Sequence, residues 1–474
     1  MGCSKMRWIA ITLLFTGLNM HAAETTLPLS VQNALNTRNV PHNSLSISVV
    51  DVDSGESILE WLPQQSRNPA STIKLLTTLV GLDVLGPAYR WRTDIYARGE
   101  IVDGRLDGDL AIKGYGDPFL VKERIWQLVQ EIRGAGVTHI DGDLLLDDSW
   151  FSVGAYDPGA FDRQPLRAYN VAPNALMMNL KVVRYWFEND RANGSVKVRM
   201  EPPLENITLD NRLRIGNSSC RGFQRGITIT MSESLDEATF TGRFPSGCDV
   251  YTMSRTALSH NEFVFGLFSQ MWRQSGGGFD GTYRKVVLTE DEDALLSFKS
   301  LPLLEIIARI NKHSNNVMAR QLLYTLAAES SGPPGTEANG KAVISEWLSS
   351  NGLASENTRI ENGAGLSRQT RTTTSDMTTI LSFAWRQPYM PEFLASMSLA
   401  GLDGTLRRRF DDSALVGQAH LKTGSLDHVT AISGYLQSRS GRRFAIAAMQ
   451  NHPDIHRGPG EEAQEALLRW LFEQ

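Results

Sequence analysis

The chain has 474 residues, 41% of them hydrophobic and 21% charged, and a formal net charge of −5. This length exceeds one ordinary compact core, so two or three domains are expected. The composition is that of a globular protein and argues against disorder. The negative net charge, without any basic block, argues against a nucleic-acid partner.

The first residues have the pattern of an export signal. Lys5 and Arg7 precede an apolar run from Trp8 to Met20, and small residues follow. The run is shorter than the roughly 20 apolar residues of a membrane-spanning helix, and no later stretch is longer. We therefore predict a signal peptide over residues 1–23 and a periplasmic mature form without a transmembrane anchor. A buried N-terminal core helix is the alternative.

The chain has three cysteines, of which Cys3 lies inside the predicted signal. The remaining pair, Cys220 and Cys248, is even in number and would enter an oxidising compartment. This favours one disulfide, worth about 2–4 kcal/mol through restriction of the unfolded chain. Two free buried thiols are the alternative. The cysteines and the nine scattered histidines have no zinc-ligand spacing, so we expect no metal site.

Sequence patterns after the signal predict a hairpin, a helix and a long β-rich insert. The hairpin is predicted by apolar and polar residues that alternate over 44–53, followed by a turn and a second short strand at 58–61. Pro69 then opens an apolar run at helical spacing, which places Ser71 in the first turn of the helix. Short apolar runs broken by Gly and Asp fill 91–290. We expect this region to form two subdomains. One would consist of residues about 91–185 together with 256–290, and the other of residues about 186–255.

Helical spacing returns over 301–312, 314–323 and 340–348. Three strands are predicted around residues 420–424, 431–436 and 444–449, and a final helix over 461–472. With residues 24–90, the segment 291–474 is expected to form one discontinuous domain.

Ser71-Thr-Ile-Lys74 is the only S-x-x-K in the chain. Residues i and i+3 of a helix share a face, with Cβ atoms about 5–6 Å apart, so the lysine amine can reach the serine hydroxyl. A lysine whose pKa is lowered by burial and nearby positive charge can remove the proton that keeps serine a poor nucleophile. Alone, the pattern also fits a surface helix with a solvated lysine.

Two further patterns offer polar groups later in the chain. Ser314-Asn-Asn316 opens a predicted helix, where a hydroxyl can relay a proton and an amide can hold a carbonyl. S-x-N recurs elsewhere, so this pattern is weak by itself. Lys422-Thr-Gly424 is the only K-[ST]-G, and it offers a cation and a hydroxyl to a carboxylate on a predicted strand. Its alternative is an exposed strand with one charged residue.

In the order S-x-x-K, S-x-N, K-T-G, the three patterns resemble the active site of penicillin-binding proteins and serine β-lactamases. The long interval between the first two, with its Gly-Tyr-Gly-Asp-Pro run at 114–118, resembles the low-molecular-mass D-alanyl-D-alanine carboxypeptidase/endopeptidases that carry inserted domains. The segments Asn362-Gly-Ala-Gly-Leu-Ser and Ala400-Gly-Leu-Asp-Gly-Thr-Leu also resemble that family. The implied fold is a mixed α/β (α+β) transpeptidase-like domain with β-rich insertions between the first and second motifs.

The resemblance implies a role for each motif residue. Ser71 would be the acylated nucleophile and Lys74 its proton acceptor, with Ser314 and Asn316 in the second motif. Lys422 and Thr423 would bind the terminal carboxylate beside Gly424. The backbone N–H groups of Ser71 and Ser425 would stabilise the oxyanion.

The implied substrates are peptidoglycan stem peptides, with β-lactams as covalent inhibitors and no cofactor. A homodimer is left open. Two alternative functions also stay open. One is a serine β-lactamase. Two features argue against it: the chain has no E-x-x-L-N pattern, and its second motif begins with Ser314 rather than tyrosine. The other is a non-catalytic module that binds peptidoglycan or β-lactams.

Overall fold

The computed structural model describes residues 24–220, 226–234, 236–256, 258–289, 292–410 and 414–474. The predicted signal peptide, residues 1–23, lies outside these residues. In the described ranges, no helix has both the length and the apolar character needed to span a membrane.

Ten α-helices and twenty strands make up the regular structure of the described ranges. The helices are α1 (Leu29–Thr37), α2 (Lys74–Leu85), α3 (Lys122–Gly134), α4 (His260–Gln274), α5 (Leu303–Lys312), α6 (Asn316–Ser331), α7 (Glu337–Ser350), α8 (Thr374–Trp385), α9 (Met390–Ala395) and α10 (Pro459–Phe472). The strands are β1 (Leu45–Asp51), β2 (Ser57–Trp61), β3 (Arg92–Val102), β4 (Arg105–Gly114), β5 (His139–Ile140), β6 (Leu144–Asp147), β7 (Val183–Asp190), β8 (Ser195–Glu201), β9 (Thr208–Asn211), β10 (Arg214–Gly216), β11 (Ile227–Met231), β12 (Glu237–Pro245), β13 (Val250–Arg255), β14 (Gly278–Phe279), β15 (Tyr283–Lys285), β16 (Leu296–Lys299), β17 (Ser398–Leu399), β18 (Ala419–Leu426), β19 (Val429–Gln437) and β20 (Arg443–Asn451).

A six-stranded antiparallel sheet, in the order β17-β18-β19-β20-β1-β2, organises the part of the chain that holds the three motifs. Side chains alternate between the faces of a strand, so β19 presents Ala431 and Tyr435 to one side and Ile432 and Leu436 to the other. The first side packs against α2, α5, α6, α7 and α8, and the second against α1 and α10. The sheet is therefore buried between two helical layers.

The hairpin β1–β2, the strands β18–β20 and the C-terminal helix α10 form where the sequence predicts them. The helix after Pro69 differs from its prediction, because α2 begins only at Lys74. A 3-10 turn over Ala70–Ile73 precedes it, in which Thr72 N–H bonds the carbonyl of Pro69 at 3.1 Å. Ala70 has a positive φ of 45°, which keeps the α-helix from starting earlier. Ser71 consequently lies in this tight turn.

The insert contains a seven-stranded sheet built from β3–β6 and β14–β16, and two smaller sheets built from β7, β8 and β13 and from β9–β12. One hydrophobic core runs through all of them. The strand β16 lies after residue 290 but pairs with β3, so this sheet extends beyond the segment 91–290. Cys220 and Cys248 are joined as a disulfide, with Cα atoms 4.9 Å apart.

Two helices of the insert, α3 and α4, were not expected from its β-like texture. Helix α3 buries Ile125, Leu128, Val129 and Ile132, which are spaced at i, i+3, i+4 and i+7. That spacing is the signal of an amphipathic helix and is present in the sequence. Helix α4 begins with a capping box in which Ser259 and Glu262 bond each other's backbone N–H groups.

Candidate active site

The turn that carries Ser71 is held in place by Asn68. Its side chain accepts a hydrogen bond from Ala70 N–H at 2.8 Å and donates one to the carbonyl of Ser367 at 2.9 Å. The backbone N–H of Asn68 in turn donates to the side chain of Asn451, at the end of β20. The turn is therefore fixed both to the central sheet and to the loop 361–369, and the half-buried Ser71 side chain faces Lys74.

Lys74 is fully buried, and its amine meets three oxygens. Nζ lies 2.9 Å from Ser71 Oγ and 2.6 Å from Asn316 Oδ1, and it also bonds the carbonyl oxygen of Ala364. Burial, followed by the positive charges of Lys422 and Arg320, holds the pKa of Lys74 well below its usual range. This environment favours a neutral amine beside the serine hydroxyl.

The two polar residues of the second motif, Ser314 and Asn316, differ in their contacts with Lys74. Asn315 caps α6 by accepting a hydrogen bond from Met318 N–H at 3.1 Å, which puts Asn316 on the first turn and aims its amide at Lys74. Ser314 stands two residues earlier, on the α5–α6 loop, with a positive φ of 53°. Within the ranges that the structure describes, no hydrogen bond joins its hydroxyl to Ser71, Lys74 or Lys422.

Lys422 and Thr423 lie on β18 next to the same turn. Lys422 is fully buried and donates from Nζ to the carbonyl of Thr423 at 2.7 Å. Burial lowers the pKa of Lys422 to about 7. Thr423 Oγ1 donates to Thr405 Oγ1 at 2.8 Å, so the segment 400–406 supports this hydroxyl. The site thus contains two buried amines of lowered basicity.

Gly424 permits the close approach between β18 and the Ser71 turn. A Cβ at this position would lie 2.7 Å from the carbonyl oxygen of Pro69 and 3.0 Å from the backbone N of Ser71. Any side chain would therefore push the turn away from the strand. Contact with the Ser71 turn therefore explains the glycine of the Lys-Thr-Gly motif.

The edge of β18 is open beside Ser425. Among the described residues, strand β17 pairs with β18 only at His420 and Leu421. The carbonyl of Ala419 accepts a hydrogen bond on the β17 side of β18. Backbone N–H and C=O groups of alternate residues in a strand point to the same edge, so every second residue after Ala419 also faces this side. By this alternation Thr423 and Ser425 direct their N–H and C=O groups to the open edge. An extended peptide can pair there, close to the Ser71 amide.

Three groups that shape the site were not predicted from the sequence. Ala364 contributes only a backbone carbonyl, and Thr405 touches Thr423 from a separate segment. Arg320 follows Asn316 by one helical turn, and this spacing is its only sequence signal. The segments that contain Ala364 and Thr405 were noted for resemblance, without a chemical role.

A cavity of about 410 Å³ adjoins the loop 361–369. Its walls come from the insert segment 156–173, from α6 and from that loop, and they include Tyr156, Phe161, Arg320 and Arg368. Neither here nor elsewhere in the described ranges does a cluster of His, Cys, Asp and Glu side chains have the geometry of a metal site.

Comparison with known proteins identifies relatives that cover most of the chain. The model of the D-Ala-D-Ala carboxypeptidase 3 (S13) family matches residues 27–474. The chain is 27% identical to a D-alanyl-D-alanine carboxypeptidase of Actinomadura sp. strain R39, over 90% of this chain and 81% of the relative. It is 21% identical to the D-alanyl-D-alanine carboxypeptidase DacB of Haemophilus influenzae, over 88% of this chain and 87% of the relative.

The fold is similar to that of solved structures. The crystal structure of penicillin-binding protein 4 from Haemophilus influenzae matches with a TM-score of 0.80 at 21% identity, covering 94% of this chain and all of that one. A predatory endopeptidase of Bdellovibrio bacteriovorus, in complex with an immunity protein, matches with a TM-score of 0.53 at 16% identity, covering 90% and 92%. The predicted mixed α/β penicillin-binding fold is confirmed.

Proposed function

Because the chain belongs to the D-Ala-D-Ala carboxypeptidase 3 (S13) family, it is a D-Ala-D-Ala carboxypeptidase, and we propose that Ser71 is its nucleophile. Ser71 Oγ attacks the carbonyl carbon between the two D-alanines, and Lys74 takes the hydroxyl proton. The peptide C–N bond breaks, the proton passes to the leaving amine, and D-alanine departs. Water then hydrolyses the ester on Ser71 and frees the shortened peptide.

The hydrogen bonds of Lys74 support its role as proton acceptor. A neutral amine has two N–H groups and one lone pair. Asn316 Oδ1 and the Ala364 carbonyl can only accept, and so take the two N–H groups. The lone pair is left for the hydroxyl proton of Ser71, 2.9 Å away. This match between donors and acceptors carries the proposal.

The substrate binds, in this proposal, as an added strand on the open edge of β18. The backbone N–H groups of Ser71 and Ser425 stabilise the oxyanion, and Thr423 and the Lys422 charge hold the terminal carboxylate. Gly424 keeps the two N–H groups close together. Ser314 is proposed to relay a proton to the leaving group, since the motif places it on the loop just before Asn316.

We expect a bell-shaped dependence of kcat/KM on pH. On the acid side the rate rises with pH as Lys74 loses its proton, at a pKa well below the usual lysine value. On the basic side it falls above about pH 7, because Lys422 loses its charge there. Initial rates of D-alanine release between pH 4 and 10 measure both limbs.

Lys422→Arg tests the basic limb, because arginine stays protonated throughout that range. Its profile should lose the decline above pH 7 while keeping the acid limb. A basic limb that stays in place in this variant would reject Lys422 as its source.

Gly365→Ala is expected to lower acylation on the order of 100-fold, since displacing a catalytic group by about 1 Å costs that much. Gly365 has a φ of +72°, and a Cβ there would overlap the carbonyl oxygen of Ala70 in the Ser71 turn. Gly352→Ala is the matched control, with a φ of +67° and no atom within 4 Å of the added Cβ. The rate of labelling by a fluorescent penicillin compares the two. Equal rates would show that the turn tolerates the overlap.

We further propose that penicillins acylate Ser71 and that the same site cleaves D-alanyl cross-links to a diamino acid. The open edge of β18 and the adjoining cavity leave room for a leaving group larger than D-alanine. Digestion of purified cross-linked peptide dimers, followed by mass spectrometry, tests the second activity, and dimers that persist while pentapeptides are trimmed would reject it. A penicillin adduct that turns over within seconds would favour a β-lactamase instead.

We propose that the enzyme acts in the periplasm after removal of residues 1–23. The polar, positively charged start and the apolar run of that segment support export. N-terminal sequencing of protein from an osmotic-shock fraction tests both points. Protein that stays with the cytoplasmic fraction at full length would reject them.

A further inference from the structure

Arg320 is a buried cation beside the active site. It lies on α6 four residues after Asn316, so both side chains project from the same helical face, one turn apart. Only 5% of Arg320 is exposed. Asn316 Oδ1 accepts a hydrogen bond from Lys74, so Arg320 lies one helical turn from the residue that contacts the proposed proton acceptor.

The inserted segment holds Arg320 in place. Nη1 donates to the hydroxyl of Tyr156 at 2.9 Å and to the carbonyl of Val171 at 3.1 Å. Both partners lie between β6 and β7 in the insert, far from α6 in sequence. The guanidinium therefore ties the insert to the helix that opens with the second motif.

The charge of Arg320 is not neutralised by contact with a carboxylate. Across the described ranges, no ion pair within 4.0 Å joins it to an Asp or Glu side chain. It lines the 410 Å³ cavity, and its two protein hydrogen bonds go to uncharged oxygens. Its positive charge therefore acts on the Lys74 amine, and Arg320 is one of two cations that lower the pKa of Lys74.

We infer that Arg320 is a positioning residue: fixed by the inserted segment, its charge keeps the Lys74 amine neutral and ready to accept the Ser71 proton. This inference rests on the proposed function of Lys74. The insert thus contributes to the chemistry, because Tyr156 and Val171 set the place of the charge. Arg320 itself touches neither Ser71 nor the scissile bond.

The other charged and titratable groups around this pair come from five segments: β18, the insert, α6, α7 and the loop 361–369. Lys422 on β18 faces Lys74, and its charge acts in the same direction as that of Arg320. The groups that face Arg320 are Tyr156 from the insert, Tyr324 from α6, Glu337 from α7 and, on the wall of the same cavity, Asp157, Glu361 and Arg368. Burial lowers the pKa of Arg320, and the negative charge of Glu337 opposes that shift and favours the charged form.

The experiment follows the rate of acylation by penicillin against pH, in the full-length mature enzyme. Arg320→Gln removes the charge but keeps an amide donor for Tyr156 and Val171. We expect the acidic inflection to move up by about one pH unit, since a cation one turn away in a partly desolvated site has an effect of that size. Below the inflection the rate then falls about tenfold.

Three further variants separate charge from structure. Arg320→Met is a second charge-free variant and should move the inflection in the same direction. Arg320→Lys keeps a cation and should return the acidic inflection to its position in the parent enzyme. Arg439→Gln removes an exposed cation from the β19–β20 turn, with a side chain 63% exposed, and controls for net charge. Thermal melting of each variant reports its folding.

Each outcome decides one question. An inflection that moves up in both charge-free variants and returns in Arg320→Lys supports the inference. An inflection that stays in place in the folded charge-free variants overturns it and leaves the role of Lys74 intact. A parent enzyme without any acidic inflection would instead reject Lys74 as the base, and the inference with it.

Discussion

Replacing Ser71 with alanine will lower D-alanine release from a pentapeptide by at least about 10⁴-fold, because no other hydroxyl stands beside the Lys74 amine among the described residues. The protein should still fold. Ser71 is half-buried, and among the described residues its hydroxyl makes one hydrogen bond, to Lys74. Melting temperature and release of D-alanine, measured on the same preparation, separate the two effects.

Ser425→Ala is the matched control for this serine variant. The exposed Ser425 is proposed to act through its backbone N–H, which alanine retains. Its activity should therefore stay close to that of the parent. A Ser71→Ala protein that releases D-alanine at the parent rate would reject the nucleophile, whereas an inactive Ser425→Ala protein would show that the hydroxyl of Ser425 takes part.

Lys74→Met should slow acylation by penicillin by about 10²–10⁴-fold, the usual contribution of a general base. Methionine fills the space of the buried lysine stem but has no lone pair for the serine proton. Its effect on folding is small by comparison. The acceptors Asn316 Oδ1 and Ala364 O lose a donor, at a cost of about 1–3 kcal/mol, and this loss is offset by removal of a buried polar amine.

Lys74→Arg distinguishes a base from a structural cation. Arginine supplies hydrogen-bond donors and a permanent positive charge, but it cannot give up a proton in this pH range. It should therefore be as slow as Lys74→Met. Recovery of the acylation rate in Lys74→Arg would mean that position 74 supplies a positive charge, and that another group removes the proton of Ser71.

The parts of the site that the sequence predicts are those that local spacing determines. The i, i+3 spacing of Ser71 and Lys74 brings the hydroxyl and the amine together even though the turn is 3-10 rather than α-helical. The Lys-Thr-Gly run lies on a strand because alternating apolar residues surround it. The position of the sheet between two layers follows from β19 and β20. Successive side chains of a strand point to opposite faces, and in these two strands the side chains of both faces are buried.

The remaining parts depend on contacts between distant segments, which a local pattern does not encode. Asn316 meets Lys74 across 242 residues of chain, and the Ala364 carbonyl meets it across 290. A backbone carbonyl has no side chain to reveal it. The need for glycine at position 424 is explained only once β18 lies against the Ser71 turn.

In the inserted region, too, local sequence patterns predict only part of the structure. Its β-rich texture predicts the strands, but α3 and α4 were overlooked because short Gly-Asp runs dominate the surrounding sequence. The link from Tyr156 and Val171 to Arg320 joins this region to the catalytic helix α6, and neither residue carries a sequence signal for it.

Mass analysis after incubation with penicillin tests the central claim most directly. The intact protein should gain the mass of one penicillin molecule, and digestion should place that mass on the peptide containing Ser71. The Ser71→Ala protein should gain none. A stable adduct on another serine, such as Ser314, or a folded parent protein that gains no mass, would contradict Ser71 as the acylated nucleophile.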